Sequence, residues 1–510
     1  MDNNLFGKHL LQITEQLGAR LSMKLAFDSS LVHRNLCVYV YDAGLLFEHL
    51  GLSPFLPIVY VLEKALTRDT IDNLHLILQH HSIRNARVAL LVLFAEEDAV
   101  TQGQALLDTI MRGVYAYDII AFGRQHLQNI VLARHPRDAL RRCVLSHISL
   151  GSISPFITTG PTSGWMFFGR EQELREITDR VARVSLGMIG GRRIGKTSIL
   201  TRLHLKEMSS AGFRTIYHDC STSPTWDDFL ATVIRDWQPK PPSDTPTTFG
   251  DLLESPPDDK PLILLLDEAD KLVPADRAAD WPLFNALRAL ANSGHAQMVF
   301  SGERTLHDAL RDPKSPLFNF ANEMLLGPLD YRAVEELVTR PMKQLEIELI
   351  DEKAIVDHIW AFTSGHPNVI QRLCRRLIER LNEQSICRIT LDDVNAVIEG
   401  PAFQRDDFLS TYWEAATSLE KIISLLMADD ESVRTLRTVR QALAKRCNPR
   451  PKAREVDDAL QRLVDLRSIL KRTTTGYDFA VEAFPRVVTG TMTLDDMLEI
   501  LTEEYQEGGE

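Results

Sequence analysis

The stretch Gly190-Gly191-Arg192-Arg193-Ile194-Gly195-Lys196-Thr197-Ser198 has the spacing G-x-x-x-x-G-K-[ST]. Its flanks suit it: 184–189 has the apolar character of a strand, and 197–208 reads as a helix. Glycines let the backbone wrap closely round a phosphate chain with its N–H groups pointing inward, and the following helix adds its positive end. In such a loop Lys196 neutralises the β- and γ-phosphates, and the Thr197 hydroxyl is a ligand for Mg²⁺. Residues 190–198 are therefore the candidate nucleotide cradle, and ATP with Mg²⁺ the expected cofactors.

A second element completes the first. Leu262-Ile263-Leu264-Leu265-Leu266-Asp267-Glu268 is a continuous apolar run, as expected of a strand buried on both faces, with two acids at its C-terminal end. Asp267 lies 71 residues beyond Lys196, with another strand expected at 215–218 between them. Asp267 is then a second metal-holding candidate, and Glu268 is placed to take a proton from an attacking water. An Asp-Glu pair in this position implies the ATPase class with an additional strand between the two motifs (ASCE), for which hydrolysis is expected. The strand expected at 297–301 ends on Ser301, where a polar side chain touches the γ-phosphate or its water, and Arg304 follows within reach. Asp267-Glu268-Ala269-Asp270 spells an RNA-helicase motif, but the Ser-Ala-Thr and His-Arg-x-Gly-Arg-x-x-Arg segments of those enzymes are missing, as is the Asn-Lys-x-Asp of GTPases.

Working outward, the 510 residues are 44% hydrophobic and 25% charged with a net charge of −13, which excludes a mainly disordered chain and a general nucleic-acid coat. The longest apolar run, 88–95, is far short of a membrane span, and the N-terminus lacks the pattern of a signal peptide. Six scattered cysteines without a Cys-x-x-Cys pair argue against disulfides or structural zinc. A cytoplasmic, non-membrane protein of several domains is expected. Residues 1–153 alternate helices with strands at 36–41, 57–62, 88–94 and 117–122, which implies a parallel α/β (Rossmann-like) sheet. A Ser/Thr/Gly/Pro-rich linker is read at 151–164, and the seven prolines of 239–261 indicate a surface loop. The core spans 165–329, a helical lid 330–402, a winged-helix-like domain of three helices and a hairpin 412–490, and an acidic tail, read as a solvated final helix that frays, 491–510. Within 415–479, 13 Lys/Arg face 9 Asp/Glu, so DNA is a possible partner there, although the third helix carries Glu455, Asp457, Asp458 and Asp465. The N-terminal domain shows no catalytic pattern and is assigned to an unknown protein partner.

Two further motifs are specific. Phe167-Phe168-Gly169-Arg170-Glu171-Gln172-Glu173 precedes the first core strand, and Gly365-His366-Pro367 opens a helix of the lid. With the phosphate loop and the Asp-Glu strand, they resemble the STAND ATPases (signal-transduction ATPases with numerous domains), a branch near AAA+ proteins; 315–329 resembles bacterial AAA-like members. The resemblance covers roughly 154–399. It implies that Phe168, Gly169, Arg170 and Glu173 flank the adenine and that Pro367 packs near the base, so that the lid senses the nucleotide. It also implies a nucleotide-controlled switch in signalling or defence, with nucleotide-dependent homo-oligomers possible. The departures are equally definite. Where a Met-His-Asp histidine belongs, the chain reads Phe479-Ala480-Val481-Glu482. Arg311 and Lys314 are read as solvated charges, and with no in-chain arginine finger evident turnover is expected to be slow. Two alternatives remain open: a DNA-associated AAA+ ATPase of the origin-binding or transposition-helper kind, and an inactive nucleotide-stabilised scaffold.

Overall fold

A computed structural model describes residues 15–16, 18–33, 36–42, 55–61, 66–78, 88–93, 97–111, 118–148, 150, 153–162, 164–222, 229, 231, 260–384, 386–400, 403, 413–414, 416–447, 450–481, 484–485 and 494–508. Most of the proline-rich stretch 239–261 lies outside the described residues. The chain divides into two compact units: residues 1–155 with 340–349 and 377–389, and the remainder.

The first unit is built on β1 (Lys24–His33), β2 (Leu36–Asp42), β3 (Phe55–Val61), β4 (Val88–Leu93) and β5 (Asp118–Gly123), hydrogen-bonded in that order. Helices α1 (Arg68–Leu78), α2 (Glu97–Met111), α3 (Arg124–Leu132) and α4 (Pro136–Leu145) intervene or follow. The sheet corrects the expectation of a wholly parallel one. Strands β3, β4 and β5 are parallel, but β1 and β2 form antiparallel pairs ending on β3. The reason is local: β2 follows β1 after two residues, too few for a crossover helix, and a tight connection enforces antiparallel pairing. Val59, Val61, Ala89 and Leu91 form one buried cluster with Ile71 and Leu74 of α1 and Val100 and Leu107 of α2. Gln104 fastens α2 to β5, accepting from Ala121 N at 2.7 Å and donating to Ile119 O at 3.3 Å.

The second unit begins with α5 (Glu171–Val181) and then alternates strand and helix: β6 (Ser185–Gly190), α6 (Lys196–Arg202), β7 (Arg214–Asp219), β8 (Leu262–Asp267), α7 (Leu272–Ala278), α8 (Pro282–Asn292), β9 (Ala296–Gly302), α9 (Arg304–Arg311) and β10 (Ala321–Leu326). The five strands run parallel in the order β10-β6-β9-β8-β7. Every residue of β6 and β8 is buried, as a strand covered by helices on both faces requires. Strand β9 lies between β6 and β8, so the phosphate-loop strand and the Asp-Glu strand are not neighbours. This is a P-loop NTPase core with a parallel sheet. Its carboxyl ends, where ligands bind in open α/β sheets, carry Gly190, Asp267 and Gly302.

Helices α10 (Tyr331–Gln344), α11 (Glu352–Thr363), α12 (Pro367–Gln384) and α13 (Leu391–Glu399) follow, with the two-residue strands β11 (Glu348–Leu349) and β12 (Arg388–Ile389) paired in parallel. Then come α14 (Ser418–Asp429), α15 (Leu436–Arg446), α16 (Ala453–Asp465) and the antiparallel pair β13 (Leu470–Arg472) and β14 (Tyr477–Phe479). Thr417 and Thr435 close capping boxes at the starts of α14 and α15. The final helix, α17 (Leu494–Gly508), differs from the expected solvated, fraying tail. It buries Leu498 and Leu501, pairs Asp495 with Arg446, and offers Tyr505 to Glu455. The apolar face at 498 and 501 docks, while Asp495, Asp496, Glu499, Glu503 and Glu504 stay outward. All six cysteines are unpaired. Among the described residues no helix is long and apolar enough to cross a membrane.

Candidate functional site

The sequence Gly190–Ser198 folds as a tight turn from β6 into α6, which runs on through a π-helical turn (Leu203–Glu207) to Ser210. Gly195 precedes α6 with φ +108°, a left-handed conformation that glycine adopts without strain. A side chain on Gly190 would meet Leu326 O at 2.8 Å, and one on Gly191 would meet Leu466 O at 2.5 Å. Arg193 also has positive φ, Arg192 is exposed, and Ile194 is buried under the turn. Lys196 is only 5% exposed. Its Nζ donates to Gly190 O at 2.8 Å and Gly191 O at 2.9 Å and lies 3.4 Å from Glu303 Oε1. Thr197 is half-buried in the first turn of α6, and Ser198 Oγ accepts from Thr162 N at 2.9 Å.

At the end of β8, Asp267 is 2% exposed. Tyr217 of β7 donates its hydroxyl to Oδ2 at 2.9 Å, and Ser301 of β9 donates to Oδ1. The Glu268 N–H points back to Asp267 Oδ1 at 3.0 Å and to Ser301 Oγ at 3.3 Å. Ser301 therefore braces the acidic turn. Glu268 sits at φ +52°, a strained position for a non-glycine residue and of the kind found where a side chain must be aimed. Burial pushes its carboxyl above the ordinary value of 4.5; Lys196 opposes this, and the charges of Asp267, Glu303 and Asp270 add to it. Arg304 begins α9 and lies 3.5 Å from Asp308 one turn on. The residue that reaches Lys196 is its neighbour Glu303. Arg311, read as a solvated charge, makes a two-pronged contact with Glu323 at 2.9 and 3.0 Å.

The segment before α5 supplies the opposite wall. Arg170 is 5% exposed and acts as a brace: it donates to Glu173 Oε1 at 2.7 Å, Ile194 O at 3.1 Å and Gly327 O at 2.7 Å. The turn is thereby tied to the end of β10. Gly169 has φ +70°, and a side chain there would lie 2.1 Å from the Ala333 methyl. Phe168, Arg170 and Pro367 line one cleft with Met166, Phe167, Ile194, Gly195, Ser198, Leu329, Leu337, Thr162 and Gln371. The cleft adjoins the phosphate turn at Ile194, Gly195 and Ser198, and its lining is mainly apolar. His366 is 3% exposed; burial, with the Arg170 charge, lowers its pKa to about 4, so the imidazole is neutral.

Several site residues were not apparent in the sequence. Thr162 and Gln371 are hydrogen-bonded at 3.3 Å, and Ile157 N donates to Gln371 Oε1 at 2.9 Å. Part of the expected linker is therefore packed structure, with Phe156 2% exposed. Asp270 accepts the N–H groups of Glu303 at 2.5 Å and Leu306 at 3.0 Å, capping α9 from outside. Tyr217 and Glu303 likewise carry no local signal.

Oxygen donors at Thr197 and Asp267 suit a hard cation such as Mg²⁺, and the glycine turn with Lys196 suits a polyphosphate.

The chain is similar in structure to the Walker-type ATPase PABY2304 of Pyrococcus abyssi, at 16% identity and TM-score 0.47, covering 65% of this chain and 99% of that one. It is also similar to the ORC2 protein of Aeropyrum pernix, at 14% identity and TM-score 0.48, covering 68% and 97%. Cdc6p of Pyrobaculum aerophilum is similar at 15% identity and TM-score 0.36, covering 66% and 94%. Comparison with curated proteins gave no match. Residues 184–310, which hold the phosphate turn, Asp267, Glu268 and Ser301, match the family described as AAA domain, in keeping with the P-loop fold of this part of the chain.

Proposed function

We propose that the protein is an ATP-binding, Mg²⁺-dependent ATPase used as a nucleotide-controlled switch of the STAND-like kind. The observation that carries this reading is the placement of a glycine turn with Lys196 on β6 and of Asp267-Glu268 on β8, with β9 between them. In it, the N–H groups of 190–198 and Lys196 hold the phosphates, and Thr197 and Asp267 hold the metal. A metal held by Thr197 and Asp267 would supply charge neutralisation to the phosphates. Glu268 takes the proton of the attacking water, and its raised pKa makes it a stronger proton acceptor than a solvated glutamate. Ser301 keeps Asp267 and Glu268 in register, Arg304 stays near the γ-phosphate end, and Phe168 with Pro367 encloses the base. Gly169, Arg170 and Glu173 shape that wall.

The test is calorimetric titration with Mg·ATP and a phosphate-release assay. Lys196→Ala should abolish tight binding. Glu268→Gln should retain it and stop hydrolysis. Full turnover by either variant would refute the assignment.

A second reading has support from one surface. Arg437, Arg440 and Arg450 line a groove between α15 and the start of α16 with Leu436, Gln441 and Pro451. The three arginines are exposed and make no hydrogen bond or ion pair among the described residues. The three-helix and hairpin segment would then be a winged helix on duplex DNA, tracking phosphates with that groove. Duplex binding that weakens steeply between about 50 and 200 mM salt, and is lost in R437A/R440A, would support it. The N-terminal unit is assigned to docking of a protein partner, and nucleotide-dependent self-association would be read by light scattering with and without a non-hydrolysable ATP analogue.

A further inference from the structure

Glu303 lies between two cations. Its Oε1 is 3.4 Å from Lys196 Nζ, and its Oε2 is 3.5 Å from Arg467 Nη1. Arg467 comes from the turn after α16 and has a side chain only 7% exposed. Its Nε donates to Glu420 Oε2 at 3.2 Å, which fixes one edge of the guanidinium. Glu420 is fully buried and also holds Arg462 at 2.6 Å and Thr417 N at 3.0 Å. One carboxylate thus serves two arginines, and the Nη1 side of Arg467 is turned to Glu303, the residue that also reaches Lys196. The carbonyl of Leu466, the preceding residue, packs on Gly191.

A buried guanidinium needs an anion, and one half-neutralised by a shared carboxylate needs a second. Glu303 fills that place loosely: both of its contacts are long beside the 2.6 Å Arg462–Glu420 contact. A carboxylate held between the phosphate-loop lysine and an arginine occupies the electrostatic position of a phosphoryl group. We infer that Arg467 is a ligand of the terminal phosphate of a nucleoside triphosphate, supplied within the chain by the C-terminal helices, and that Glu303 stands in for that phosphate when it is absent. This rests on the phosphate-loop reading given above. A triphosphate displaces Glu303 from between Lys196 and Arg467 and bridges both cations. A diphosphate is too short to do so and leaves Glu303 in place. The fold thereby distinguishes ATP from ADP at a residue 271 positions beyond Lys196.

The experiment is titration of the full chain with Mg·AMP-PNP and Mg·ADP, for the wild type, Lys196→Ala, Arg467→Ala and Glu303→Gln. Arg467→Ala should weaken AMP-PNP by about tenfold or more, the usual effect of losing a charge-assisted hydrogen bond, and ADP by less than about twofold. Glu303→Gln should tighten AMP-PNP and leave ADP unchanged, because the internal competitor is gone. If Lys196→Ala keeps both affinities, the phosphate-loop reading fails and this inference with it. If Lys196→Ala loses both while Arg467→Ala alters the two nucleotides equally, or neither, Arg467 alone is overturned. Circular dichroism checks folding. Should Arg467→Ala not fold, Glu303→Gln decides, and unchanged or weaker AMP-PNP binding overturns the inference.

Discussion

Asp270 holds Glu303 by its backbone: one carboxylate oxygen accepts the Glu303 N–H at 2.5 Å, and the other accepts that of Leu306 at 3.0 Å. A side chain on the preceding Gly302 would lie 2.2 Å from that same carboxylate, so the approach is possible only at glycine. Asp270→Ala leaves two amides without a partner in a largely buried place and should cost about 2 kcal/mol or more. Urea unfolding measures this, and a change under about 0.5 kcal/mol would contradict the capping role.

Glu268 acts only when ionised, and burial raises its pKa above 4.5. The turnover rate at saturating Mg·ATP should therefore climb with pH through an inflection above that value. A pH–rate profile of the wild type checks this. An inflection at or below 4.5 would remove Glu268 as the base.

His366 gives a stability signature of the opposite kind. Its folded pKa of about 4 lies below the ordinary 6.5, so only the unfolded chain takes the proton between these values. Above 6.5 both states are neutral and nothing changes. As pH falls from 6.5 towards 4, stability should drop by about 1.4 kcal/mol per pH unit from this group. Denaturant melts at pH 7 and pH 5 should show a smaller pH loss for His366→Asn than for the wild type; equal losses would refute it.

Glu420→Ala should destabilise the protein by about 3–5 kcal/mol, because Arg462 and Arg467 lose their shared buried anion. Glu420→Gln should fall between Ala and the wild type. A thermal melt of the Ala variant within about 2 °C of the wild type would show that the arginines find other partners.

The parallel core was legible in the sequence for a physical reason. Strands such as 262–267 are buried on both faces and read as unbroken apolar runs, and the glycines of 190–195 answer to one local backbone demand. Strand β1 was not, because Lys-Leu-Ala-Phe-Asp-Ser-Ser-Leu-Val-His shows no clean alternation and its register with β2 shifts twice. Ser301 was found as a residue but not in its contact, since its choice of Asp267 over the loop depends on the spacing of β8 and β9. Glu303 and Arg467 are 164 positions apart, and nothing local to either announces the other. Thr417-x-x-Glu420 does carry the pattern of a capping box, but only the packing of α16 shows that its glutamate also serves two arginines.

The contact of the Leu466 carbonyl with Gly191 has a kinetic corollary. If the turn holds a nucleotide as proposed, main chain from the C-terminal helices stands against it at Gly191, and departure would be coupled to movement of that chain. Residence time would then depend on how often the C-terminal helices swing away, and a partner that pries them open would work as an exchange factor.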